Sequence, residues 1–274
     1  MQQGTRKILL LAGAVVLTAV LYFAPKKTEK AESMIPDGPG SRLSFEGILS
    51  QAKNQLKREE LEPVNALEKQ VRNDSTNTQL LDSLGKIWDR LDFPVVSSHY
   101  FEVIAQQQPS EKNWVNAAYR YFDSFRFTDD SLLRTYLVDK TISAYKEVIK
   151  LNPHNLDAKT DLGICYAEGT NSPMQGIMML REVVTENPDH ENAQFNLGVL
   201  SVRSGQLTKA VERFEKVLSI DPENNRARFL LGRTQFSLGE NEKALANLRL
   251  IKKKENDPQL VAETDSLISK IHNP

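Results

Sequence analysis

The chain of 274 residues has one cysteine, Cys165. That excludes an internal disulfide framework and any zinc site built on several thiolates. Its four histidines are His99, His154, His190 and His272. None lies three or four residues from another, so a helical ligand pair of the HExxH kind is absent. None of the 13 glycines belongs to a phosphate-cradling loop. The formal net charge is only −1, which gives no general reason to expect nucleic acid as a partner. No acid, base and nucleophile converge in the sequence, so the chain is read as non-catalytic, with no cofactor and no metal. Strand-like alternation is also missing after about Ser44; apolar residues recur there at three and four, and the region reads as all-α.

What is present begins with an uncharged run from Ile8 to Ala24, ILLLAGAVVLTAVLYFA. As a helix it covers roughly 25 Å, close to the hydrocarbon thickness of a bilayer. Arg6 and Lys7 precede it, and Pro25, Lys26 and Lys27 follow. A signal peptide is the alternative, but the small-residue cleavage pattern is poorly placed and Pro25 would hinder cleavage after Ala24. The run is therefore read as a single anchor in a bacterial inner membrane. A short basic start places the bulk of the chain on the periplasmic side, with the cytoplasmic side as the alternative. Residues 25–42, PKKTEKAESMIPDGPGSR, have little to bury and read as a flexible linker.

Beyond the linker the sequence repeats. Leu197-Gly198 is followed by Ala210, Phe214, Val217 and Pro222, and 34 residues later Leu231-Gly232 leads at the same spacings to Ala244, Leu248 and Ile251. Leu84-Gly85 leads likewise to Ser97, Phe101, Ile104 and Pro109. Leu162-Gly163 reaches Gly176, Leu180, Val183 and Pro188 with one residue added. Ala117-Ala118 reaches Thr141, Tyr145, Val148 and Pro153 with eleven added, and the extra length falls within SFRFTDDSLLR, between the two helices of that unit. Gly or Ala in a first helix lets the second approach closely. Phe214 or Leu248 fills the space beside it, and a proline ends each unit. One hairpin leaves an apolar face that only the next can cover.

A unit of this length and pattern resembles the tetratricopeptide repeat family. The resemblance implies a right-handed α-solenoid of helix-turn-helix units, here behind one N-terminal transmembrane helix. The organisation expected is a basic N-terminus 1–7, an anchor 8–24, a linker 25–42, and a degenerate helical hairpin or cap 43–77. Five repeats follow over 78–258 (about 78–110, 111–155, 156–190, 191–224 and 225–258), then a capping helix 259–274.

In the family, first helices line a concave groove that receives peptides or helices of other proteins. Position by position, the resemblance assigns that groove Asn192, Phe195, Asn196, Val199, Arg203, Arg226, Phe229, Arg233 and Phe236. Earlier repeats add Asp157, Thr160, Ile164 and Glu168, then Val115, Asn116, Tyr119 and Phe122, and first of all Asp82, Lys86, Asp89 and Arg90. Asn196 and Arg226 occupy two places of the family's carboxylate clamp, but Thr160 and Ile164 stand where a basic residue is expected. Packing between first helices is the alternative for Phe229 and Phe236. The function implied is a non-catalytic membrane-anchored scaffold binding a peptide or helix. Self-assembly, or holding a separate enzyme at the membrane, are the alternatives.

Overall fold

A computed structural model describes residues 43–255 and 257–272, apart from the side chains of 252–254. The basic start, the apolar run 8–24 and the linker 25–42 lie outside the described residues. Among the described residues no helix is long and apolar enough to cross a membrane. The chain from Arg42 onward forms one compact unit. Among its described residues there are thirteen helices and no strand.

The first two helices are α1 (Phe45–Gln55) and α2 (Arg58–Asn73). Five antiparallel pairs follow: α3 (Thr78–Arg90) with α4 (Pro94–Gln107), α5 (Glu111–Phe127) with α6 (Ser131–Leu151), α7 (Leu156–Gly169) with α8 (Pro173–Glu186), α9 (Glu191–Arg203) with α10 (Leu207–Ile220), and α11 (Asn225–Ser237) with α12 (Asn241–Lys254). The last helix is α13 (Pro258–His272). Contacts are densest within pairs and between each second helix and the next first helix, so the array is a solenoid of nearest neighbours.

Local chemistry sets the punctuation. Asn77, Asn155 and Asn224 each turn a side-chain oxygen onto backbone N–H groups at the start of α3, α7 and α11, and Ser110 does so for α5. Second helices α4 and α8 begin instead with Pro94 and Pro173, whose missing N–H costs nothing in a first turn. The tight turns after α9 and α11 pass through Gly205 and Gly239 at φ of 72° and 79°, a region costly for other residues.

The packing follows the repeat code. A methyl group on Gly85 would sit 2.8 Å from the Phe101 ring, and one on Gly198 2.7 Å from the Phe214 ring. The large residue of each second helix thus fills the space its glycine leaves open.

Two arrangements differ from expectation. The eleven extra residues in the second repeat do not form a loop. They lengthen both helices, giving α5 17 residues and α6 21, with only 128–130 between them. Arg134 in the α6 extension explains how the added turns are held. It donates to the carbonyls of Phe125 at 3.1 Å and Glu168 at 3.3 Å and lies over the Phe125 ring, closing the ends of α5 and α7. At the N-terminus, α1 and α2 are not a hairpin in the manner of the repeats. α1 packs on α4, with Phe45 stacked on His99 at 3.5 Å between centroids, and reaches α2 through Lys53, which pairs with Glu68. Aromatic stacking on α4 outweighs the chain connection to α2.

Candidate functional site

The first helices α5, α7, α9 and α11 bring together a cavity of about 880 Å³. Its lining includes Arg126, Asp157, His190, Asn192, Phe195, Asn196 and Arg226. A second cavity of about 720 Å³ lies further along, lined by Phe195, Val199, Arg226, Phe229, Arg233 and residues of α13, among them Leu260 and Glu263. Phe195 and Arg226 belong to both linings.

Each arginine along this path lies against a ring. Arg126 lies 5.7 Å from the Phe122 centroid, Arg226 5.7 Å from Phe195 and Arg233 5.8 Å from Phe229. A guanidinium held over a ring keeps its edge donors free for another group. The acids of the same surface are engaged within the chain. Asp189 pairs with Lys216, and Glu191 accepts from Asn224 at 2.7 Å. His190 caps α9 by accepting the Ala193 N–H on Nδ1, which leaves Nε2 facing Asp157 at 3.2 Å. Asn196 turns its amide back onto the carbonyl groups of Asn192, both at 2.8 Å.

The residues assigned by sequence are thus divided. Asn192, Phe195, Asn196, Val199, Arg226 and Arg233 line the cavities with Arg226, Arg233 and Asn192 exposed. Arg203 is spent on a 3.1 Å ion pair with Glu168 of the preceding first helix. Phe229 is only 7% exposed and packs with Leu248, Ile251, Leu267 and Ile271. Phe236 joins the same cluster. An open Arg/Phe stripe is therefore corrected: its arginines face outward, while Phe229 is buried in the cluster that includes Leu267 and Ile271 of α13 and Phe236 packs against that cluster. Phe122, Thr160 and Ile164, also assigned to the groove, are core residues. With Thr160 and Ile164 buried, the clamp has no third polar position there.

Sequence reasoning missed Arg126 and His190. Arg126 sits in the insertion, four residues after Phe122, where continuation of α5 was the signal. His190 and His154 both follow a repeat-ending proline, yet the His190 side chain is 10% exposed against 87% for His154. Its place before Ala193, matching Asn155 before Ala158 and Asn224 before Ala227, marks it as a helix cap.

Polar groups under the groove are structural. Burial pushes the Asp161 carboxyl up to about 6 while the Tyr145 hydroxyl donates to it at 2.7 Å. Burial also pushes the Cys165 thiol up to about 12, far from a nucleophilic thiolate at neutral pH. Among the described residues, no three of His, Cys, Asp and Glu gather as a metal site requires.

Residues 201–264 match the tetratricopeptide repeat family. Over that stretch the chain is similar to the tetratricopeptide repeat family, and the hairpin array around it has the same fold. Two curated relatives share parts of it: the CTR9 homolog of Arabidopsis thaliana, 40% identical over 67 residues and 24% of this chain, and the BBSome complex member BBS4 of Bos taurus, 27% identical over 112 residues and 39% of this chain. The alignments span only 6% and 20% of those two proteins. A tetratricopeptide repeat protein from Parabacteroides merdae is similar in fold, with a TM-score of 0.57 at 14% identity over 84% of this chain and 87% of that one. Tetratricopeptide repeats generally mediate protein–protein contacts and generally lack catalytic activity of their own.

Proposed function

We propose that this chain is a non-catalytic scaffold that captures a peptide or helix of another protein along α5, α7, α9 and α11. The observation that carries this reading is the pair of adjoining cavities sharing Phe195 and Arg226. Arg126, Arg226 and Arg233 have no ion pair or hydrogen bond to the rest of the chain among the described residues, and Phe195 offers an apolar floor. Arginine over an aromatic residue is a combination enriched where proteins bind tightly. The uncharged run 8–24 would tether the scaffold to an inner membrane with the repeats on the periplasmic side, raising the local concentration of partners near the bilayer.

Charge reversal of Arg226 and Arg233 together is expected to weaken capture of partners crosslinked in membranes by tenfold or more, about the loss of one or two strong contacts. Circular dichroism and thermal stability are expected to stay near wild type, because both guanidiniums face solvent. Undiminished capture of the same partners would overturn the groove assignment. A topology reporter fused at Pro274 tests the membrane side separately.

A further inference from the structure

The second helices and α1 form a surface unlike the groove. α1, the α3–α4 turn and the starts of α4 and α6 enclose a cavity of about 590 Å³. Its walls are mostly apolar, with Ile48, Phe93, Val95, Leu132 and Leu133 among them. Among the described residues the polar lining is Gln51, Gln55, Asp92 and Asp130, with no lysine, arginine or histidine. Asp130 uses one carboxylate oxygen to cap α6, accepting the N–H groups of Leu132 and Leu133 at 2.8 and 3.0 Å. The Asp92 carboxylate has no partner among the described residues, and its backbone stands at a φ of 63°, which aspartate adopts at some cost.

The eleven-residue insertion builds one wall. By extending α5 and α6 it carries Phe127 and Leu132 to the tip of the hairpin, where they are 79% and 56% exposed. Two large apolar side chains at one tip, beside a hollow whose polar lining is Gln51, Gln55, Asp92 and Asp130, leave a face that water serves poorly.

We infer that this face is a second binding site, independent of the groove, for a protein segment whose apolar side chains are flanked by lysine or arginine. The hollow takes the apolar side chains. Asp92 and Asp130, with no cation among the described residues lining the same cavity, complement the flanking charges. An acidic segment of the same shape is repelled, so sign discriminates where apolar area does not.

Fluorescence anisotropy on the full chain tests this with two labelled probes, acetyl-Lys-Leu-Leu-Lys-Leu-Leu-Lys-amide and the counterpart with glutamate for lysine. The lysine peptide is expected to bind and to weaken as salt rises; the glutamate peptide is expected not to bind. Leu132→Asp is expected to weaken the lysine peptide about tenfold or more, by loss of an apolar anchor. Asp92→Asn, which keeps a residue tolerant of the same backbone, is expected to weaken it by about 2- to 5-fold, the worth of one exposed charge pair. The same loss with Arg226→Glu would overturn the site's independence from the groove. Equal binding of the two peptides, or binding indifferent to both Leu132→Asp and Asp92→Asn, overturns the site. Binding by a chain starting at Arg42 but not by the full chain assigns the hollow to the protein's own preceding residues. Self-association abolished by Leu132→Asp assigns it to a second copy. Either result overturns the proposed partner.

Discussion

His99 of α4 shows how far one side chain can be bound to a fold by what it stacks on. Its ring lies against Phe45 of α1, and Nδ1 is buried without a hydrogen-bond partner, 3.9 Å from Glu102 Oε2. Burial lowers its pKa to about 4, with Lys140 adding to the effect and Glu102 and Glu46 opposing it. In the unfolded chain the same imidazole titrates near 6.5. Between those values the unfolded chain binds the extra proton, so stability rises with pH across this window and falls on acidification. From pH 7 to pH 5 the expected loss from this residue is about 1–2 kcal/mol. His99→Phe keeps a ring against Phe45 and removes the titration. Urea unfolding at the two pH values should show a smaller acid loss in that variant, and an unchanged loss would refute the assignment. Nearby, Glu102 is only 6% exposed yet satisfied, accepting from the Tyr121 hydroxyl at 2.7 Å and from Lys140 at 2.8 Å. A buried charge so held fixes the α4–α5–α6 junction, because losing either donor would strand it.

Between helices, α7 and α8 approach closely at Gly176 and Gly163. A methyl group on Gly176 would lie 2.1 Å from the Gly163 carbonyl oxygen and 2.5 Å from the Ala167 nitrogen. Both are backbone atoms, so no side chain can swing aside. Gly176→Ala gains about 1 kcal/mol of helix propensity, but forcing the helices apart costs more, by roughly 1–3 kcal/mol net. Thermal unfolding of the variant should fall by several degrees. Gly205→Ala is the comparison. Nothing lies within 4 Å of that position, and only the left-handed backbone, φ 72°, makes alanine costly there. A Gly176→Ala protein as stable as wild type would mean that α7 and α8 do not pack at this distance.

For the molecule as a whole, unequal cores matter most. The largest buried cluster runs from Ala105 to Leu197, through α4 to α9, whereas the C-terminal end rests on Phe229, Ala244, Leu248, Ile251, Leu267 and Ile271. Stability in such an array is a sum of units and their interfaces. Removing α13 would expose Phe229 and Ile251 and delete Leu267 and Ile271. At about 1.5–3 kcal/mol per buried apolar side chain, the loss over these four is roughly 6–12 kcal/mol. Hydrogen exchange of a chain ending at Asp257 should quicken in α11 and α12 and stay slow in α5 to α8. Equal quickening throughout would mean that the array unfolds as one unit.

Much of this architecture was legible in a single sequence. The residue pairs Gly198/Phe214 and Gly85/Phe101 touch as their spacing requires, because a fixed repeat places the same small and large residues at the same points of each hairpin. The candidate groove was legible only in part. Helical spacing says which residues share a stripe, and it put Arg226, Phe229, Arg233 and Phe236 together. It does not say what lies over the stripe. The cap helix α13 buries Phe229 and leaves Arg226 and Arg233 exposed, a choice that depends on Leu267 and Ile271, far along the chain.

The sequence by itself determined the repeat, its period, its packing pairs and the helical class, since each is local or recurs at short range. Tertiary structure alone decided that an insertion becomes longer helices instead of a loop, because Arg134 closes two helix ends that sequence does not bring together. It decided equally that α1 leaves α2 for α4, because a stacked Phe45–His99 pair depends on where two distant helices meet.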